Sequence, residues 1–407
     1  MLCQFSFKNF KSYKDETVFD LQATSIEEHG DSLITHEKGN AILPVSVIYG
    51  PNGGGKTSLL QAMACLISTV VKPIHDLGKN RVKVVIRQRF ACLPFAFDES
   101  SEKEPTEFKI YFRVNSNEYM YYIAILDEKI MSEVLYRRTI GGKKTAVIFE
   151  REEENIVLGA KISKKNVNTE VNPKMPYLSF LAINYNFEEI TEVQQWFESC
   201  IILNYANPRT EQNIFLNNGD EFKNFCITSL NNVGIDVSDY RYDEVKNDFF
   251  VFHNIDGKQY SLPFIYESEG TKKLFSILPF FLVAINEGRL VVADELDAKL
   301  HPKLLRYIVS LFTNKDINKN GAQLIFTSHD MSIMKKEVFR RDEIWFAALN
   351  REHSSELYSL FDIKDENGER IRATSAYYKQ YLEGRYGADP YLRKMMEWGK
   401  EDESETI

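Results

Sequence analysis

Gly50-Pro51-Asn52-Gly53-Gly54-Gly55-Lys56-Thr57 fits the pattern G-x-x-x-x-G-K-[ST], and its flanks decide the fold. Upstream, Pro44-Val45-Ser46-Val47-Ile48-Tyr49 is short, apolar and β-branched, the signature of a buried strand. Downstream, Ser58 to Ile67 reads as a mostly apolar helix. Strand, glycine loop and helix form the context in which this motif cradles phosphate. Glycines at 53, 54 and 55 let successive amides, with those of Asn52 and Ser58, turn inward, and the helix N-terminus adds partial positive charge. In that frame Lys56 reaches the β- and γ-phosphates of a nucleoside triphosphate, and the Thr57 hydroxyl ligates Mg²⁺.

A phosphate loop needs carboxylates opposite it. Arg289-Leu290-Val291-Val292-Ala293-Asp294-Glu295 is an apolar strand ending in two of them. Asp294 is expected to hold Mg²⁺ and Glu295 to polarise the attacking water as general base. A second buried strand, Gln323 to Thr327, runs through Ser328 to His329, where a γ-phosphate sensor is expected. Upstream, Glu267-Ser268-Glu269-Gly270-Thr271 opens a long apolar helix. Ser268 can serve as its N-cap; alternatively Ser268 and the backbone at Gly270 bind the γ-phosphate of ATP held by a second subunit.

At 407 residues the chain exceeds one ordinary core, so two or three lobes are expected. With 43% hydrophobic and 27% charged residues, its composition is that of a soluble globular protein. The apolar run Ile277 to Ile285 is too short for a bilayer, and the N-terminus lacks a basic region and a cleavage pattern. Five scattered cysteines without C-x-x-C pairs suit reduced thiols, so a cytoplasmic location with no membrane attachment is expected. The net charge of −9 argues against a basic nucleic-acid coat.

In chain order, residues 5–13 read as a strand with its exit turn, 18–21 as its partner, and 27–40 as a polar stretch. The loop's helix is expected to stop near Lys72-Pro73. Strands follow at 82–90, 108–114, 119–126, 134–138 and 146–150. Residues 190–202 and 221–230 read as helices; 249–252 and 259–262 read as a hairpin.

Taken together, the phosphate loop, Ser-x-Gly helix start, Asp-Glu strand, Leu-Asp turn and Thr-Ser-His strand resemble an ABC-type ATPase head. Asn9-Phe10-Lys11-Ser12-Tyr13 resembles the opening of SMC and RecF-like heads. Residues 268–274, 294–302 and 381–388 look most like the AbiLi/RloA-type prokaryotic ATPases, relatives of the ATPase halves of OLD nucleases; the group includes the ATPase subunit of the anti-phage system PARIS. The implied fold is α/β: a P-loop NTPase head of residues 1–98 and 263–407 with a mixed β/helical lobe inserted at 99–262. The resemblance implies a head-to-tail dimer or higher oligomer. ATP and Mg²⁺ would be held by Lys56 and Thr57 of one chain and by Ser268 and Gly270 of the other, with Asp297 contacting the opposing subunit. It places Phe10, Lys11 and Ser12 near the adenine and asks for a metal-ligating glutamine, for which Gln88 is the candidate. Two departures stand out: no sustained heptads between loop and Ser-x-Gly helix, and no nuclease domain.

The leading expectation is therefore an ATP-hydrolysing sensor or scaffold in abortive-infection defence, controlling a separate toxin or nuclease and answering to a phage protein or DNA. The alternative is a RecF/SMC-like DNA-binding repair ATPase, with Lys143 and Lys144, or Lys161, Lys164 and Lys165, on its DNA surface.

Overall fold

The computed structural model describes residues 1–77, 91–160, 162, 166–203, 220–243, 248–365, 368–372 and 375–388. The chain opens with β1 (Leu2–Lys8), β2 (Thr17–Asp20), the hairpin β3 (Ile34–His36) and β4 (Gly39–Ile42), then β5 (Val45–Tyr49) and α1 (Lys56–Leu77). Next come β6 (Thr106–Val114), β7 (Asn117–Leu126), β8 (Lys129–Thr139), β9 (Thr145–Glu152) and β10 (Asn155–Leu158). The middle continues through α2 (Tyr177–Asn184), α3 (Glu188–Ser199), β11 (Ile201–Leu203), α4 (Asp220–Asn232), β12 (Asp239–Asp243), β13 (Asp248–Ile255) and β14 (Lys258–Pro263). The last part holds α5 (Glu269–Glu287), β15 (Leu290–Ala293), α6 (Pro302–Thr313), β16 (Gln323–Thr327), β17 (Ile344–Leu349), β18 (Ser355–Ser359) and α7 (Tyr377–Leu382).

Among the described residues, one sheet runs β11-β15-β16-β5-β17-β18, parallel except for the antiparallel edge strand β18. Its parallel strands are largely apolar on both faces, as a parallel sheet covered on both sides requires. Alternate residues sort into two cores. Ile48, Val292, Ile325 and Trp345 point at α1 and the second sheet, while Val47, Val291, Leu324 and Phe346 point at α5 and α6. The second sheet, β10-β9-β8-β7-β6-β1-β2, is antiparallel throughout. Phe5, Phe7, Phe108, Phe112 and Tyr121 close over α1 from that side. The fold is thus α/β, with the glycine loop between β5 and α1 at one end of the parallel sheet. Residues 99–262, read from sequence as an inserted lobe, contribute β6–β10 to the antiparallel sheet and β11 to the parallel one.

Helix α1 continues through Pro73 to Leu77 rather than stopping at Lys72. Proline costs a helix interior about 3 kcal/mol. Here tertiary contacts hold the last turns: Ile74 is buried and the Ser179 hydroxyl donates to the Val70 carbonyl at 2.7 Å. Of the described residues, α1 alone makes a helix long and apolar enough to cross a bilayer, and it is mostly buried as the core helix. The helix expected over 190–202 ends at Ser199, where Cys200 turns extended and Ile201-Ile202-Leu203 pairs with Val291-Val292-Ala293. The polar stretch 27–40 carries most of the β3–β4 hairpin. Strands β17 and β18 went unread in the sequence. The expected strand over 82–90 lies outside the described residues. Between α1 and α5, the described helices have 8, 12 and 13 residues, lengths far short of a coiled-coil arm.

Candidate nucleotide site

The site begins with a glycine loop squeezed between β5 and α1. Gly50, Gly53 and Gly55 have φ of 147°, 79° and 108°, where side chains are strained. Space demands glycine too: a Cβ on Gly50 would sit 2.0 Å from the Ala347 carbonyl oxygen, and one on Gly55 2.4 Å from the Ser355 hydroxyl. The floor of the loop is therefore β17 and β18. Lys56 lies beneath the loop, 6% exposed, its ammonium donating to the Gly50 and Pro51 carbonyls at 2.8 and 3.0 Å. Burial lowers its pKa, an effect opposed by Asp294, Glu295 and Asp297 nearby.

Parallel pairing of β15, β16 and β5 brings the distant carboxylates to this loop. The Thr57 hydroxyl donates to Asp294 Oδ1 at 3.3 Å across 237 residues of chain. Thr327, at the end of β16, donates its hydroxyl to the same oxygen at 2.6 Å and accepts the Glu295 amide at 2.7 Å. Glu295 takes a left-handed φ of 47°, which leaves its side chain exposed at the mouth of the site. His329 is also exposed, and its amide donates to Asp297 Oδ2 at 3.0 Å. Asp297 Oδ1 is buried without a hydrogen-bond partner among the described residues. Ser12, Asn52, Gly53, Gly55, Lys56, Thr57, Ser58, Glu295 and His329 line one cleft of about 240 Å³.

The donor set suits a magnesium polyphosphate. Positive-φ glycines, hydroxyls and a buried ammonium face anionic oxygen; Thr57 and Asp294 offer a hard cation two adjacent oxygen ligands, leaving the others to phosphate and water. Ser12 is fixed at the rim by Ser355, whose hydroxyl donates to it at 2.8 Å, while Lys11 donates to Gln61 at 2.5 Å.

Not every expected residue joins the cleft. Ser268 is exposed and caps α5, accepting the Thr271 amide at 3.1 Å; neither it nor Gly270 lines the pocket. Beside it Ile265 and Tyr266 are 63% and 74% exposed. Gln88 lies outside the described residues, as do Lys161, Lys164 and Lys165, while Lys143 and Lys144 are exposed between β8 and β9. Sequence reasoning missed Thr327, Ala347 and Ser355. A threonine closing the apolar run of β16 was the available signal for the first. Nothing local marks the other two.

Comparison with solved structures returns SMC heads of low identity. The SMC head domain from Thermotoga maritima is 14% identical, with a TM-score of 0.41, covering 88% of this chain and 98% of that one. The Smc head domain with a coiled coil and joint from Pyrococcus yayanosii is 12% identical, with a TM-score of 0.47, covering 95% and 99%. No curated protein matches the sequence. Residues 45–335 match a family profile that takes in the phosphate loop, the Asp-Glu strand and the Thr-Ser-His strand together. By that match the chain belongs to the family described as AAA domain, putative AbiEii toxin, Type IV TA system.

Proposed function

We propose that this protein binds and slowly hydrolyses ATP with Mg²⁺ and uses ATP to join two copies head to tail. In this reading it is a cytoplasmic sensor or scaffold of anti-phage defence, akin to the AbiLi/RloA group and the ATPase subunit of PARIS, that controls a separate effector. The observation that carries it is the Thr57–Asp294 hydrogen bond, which unites the phosphate loop and the carboxylate strand in one cleft with Lys56, Glu295 and His329.

Lys56 and the loop amides bind and orient the triphosphate; Thr57 and Asp294 would hold Mg²⁺, which would supply charge neutralisation for the phosphates. Glu295, exposed at the mouth, accepts the proton of the attacking water, and His329 in the same cleft steadies the γ-phosphate. The cleft is open, and Ser268 stands exposed elsewhere on the surface beside Ile265 and Tyr266. An uncovered ATP cleft and an exposed helix start suit mutual completion by a second copy. The family's description, which names a putative AbiEii toxin and a Type IV TA system, supports the defence setting.

The test is ATP turnover together with mass by light scattering, with and without ATP. Glu295→Gln should trap ATP and the dimer, and Lys56→Ala should lose both turnover and ATP-dependent assembly. Full turnover in Glu295→Gln would remove the base, and ATP-driven dimerisation of Lys56→Ala would remove the shared site.

A further inference from the structure

We propose that Lys273 is a positioning residue for ATP hydrolysis: its ammonium holds the turn that aims Glu295 into the cleft, and links that turn to the helix start at Ser268. The inference rests on the reading of Glu295 as general base. Lys273 sits on α5 little more than a turn past Ser268, yet it is only 9% exposed, an uncommon place for an ammonium group. Its Nζ donates to the main-chain carbonyl of Glu295 at 2.9 Å.

That carbonyl belongs to a strained residue. Glu295 is non-glycine in the left-handed region, a conformation that persists only when its surroundings over-determine it. Both ends of the residue are held: Thr327 accepts its amide at 2.7 Å, and its carbonyl takes the Ala298 amide at 3.1 Å as well as Lys273. With the backbone pinned at both ends, Glu295 stands in the lining of the cleft.

The same turn meets the start of α5 twice more. A Cβ on Gly270 would lie 3.2 Å from the Lys299 carbonyl oxygen, and Glu269 bridges Lys299 at 2.8 Å. Helix start and turn therefore approach each other at Glu269, Gly270 and Lys273, the Lys273 bond being partly shielded from solvent. A second copy engaging Ser268 would press on the element that orients Glu295 in this chain's own site.

The test uses the full chain and Lys273→Met, which keeps the apolar stem and removes the ammonium. Turnover should fall by about tenfold to a hundredfold, while KM and the affinity for a fluorescent ATP analogue stay within about twofold. The stoichiometry of analogue binding reports the folded fraction. Lys273→Arg, which keeps a charged donor, should recover most of the turnover. Adding Lys273→Met to Glu295→Gln should lower turnover no further, since the two act through one group. If Lys273→Met does not fold, Lys273→Gln is read in the same way. Wild-type turnover in Lys273→Met, or a loss of affinity as large as the loss of turnover, overturns the proposal. Should Glu295→Gln be inactive while Lys273→Met is unimpaired, only the role of Lys273 falls; should Glu295→Gln turn over normally, the base assignment falls as well.

Discussion

Replacing Thr327 by valine isolates one hydroxyl at the junction of the two halves of the site. The side chain is fully buried, and valine fills the same space, so no cavity opens. Two hydrogen bonds disappear. The bond to Asp294 at 2.6 Å is charge-assisted and contributes about 1.5–3 kcal/mol; the half-buried Glu295 amide left without an acceptor costs about 1 kcal/mol more. The expected destabilisation is about 2.5–4 kcal/mol. With roughly 2.1 cal/mol/K of unfolding entropy per residue over 407 residues, each kcal/mol moves the melting midpoint by about 1.2 °C, giving a drop of about 3–5 °C. Asp294 also loses the group that orients it, so the Mg²⁺ concentration for half-maximal turnover should rise by about 10–100-fold. Calorimetry and a magnesium titration of ATP turnover measure the two effects, with Thr327→Ser as the hydroxyl-retaining control. A valine variant that melts with the wild type and needs no more Mg²⁺ would refute the assignment of Thr327 as the link between Asp294 and Glu295.

Gly50→Ala should destabilise by about 2–4 kcal/mol and abolish ATP-analogue binding, because its Cβ meets the Ala347 carbonyl and its φ is strained; an unaltered urea transition with intact binding would contradict this. Glu295→Gln should slow ATP turnover by at least about a hundredfold with ATP still bound, as measured by phosphate release and nucleotide retention. Stability should also depend on pH through Glu343. Burial pushes its carboxyl up to about 8, against the Arg340 amide that favours the charged form. A raised carboxyl pKa means the folded state keeps a proton that the unfolded chain releases, so this contribution is intact at and below the ordinary glutamate range and is lost as pH rises towards 8. Glu343→Gln should therefore flatten the decline in melting temperature over that interval, and a decline as steep as that of the wild type would assign it to other groups.

Much of the site is legible in the chain because its parts are local. Gly50 to Thr57, Asp294-Glu295 and His329 each follow a short apolar run, and a buried parallel strand that ends in polar residues has to present them at its carboxyl edge. Residues that act through packing were not legible. Ala347 is an unremarkable strand residue whose carbonyl excludes every side chain from position 50, and Lys273 looks like one of two adjacent surface lysines until α5 turns it inward. Pro73 misled for the same reason, since the contacts that keep α1 intact past it come from Ser179.

By itself, then, the sequence determined the phosphate loop, the carboxylate strand and the α/β class, because backbone geometry and hydrophobic period are written within a dozen residues. Tertiary structure alone decided that β17 and β18 floor the loop, that Thr327 joins Asp294 to Glu295, and that Ser268 is exposed outside the lining of its own chain's cleft. Those outcomes depend on which strands become neighbours, and strand order is set by the burial of whole faces rather than by any local pattern.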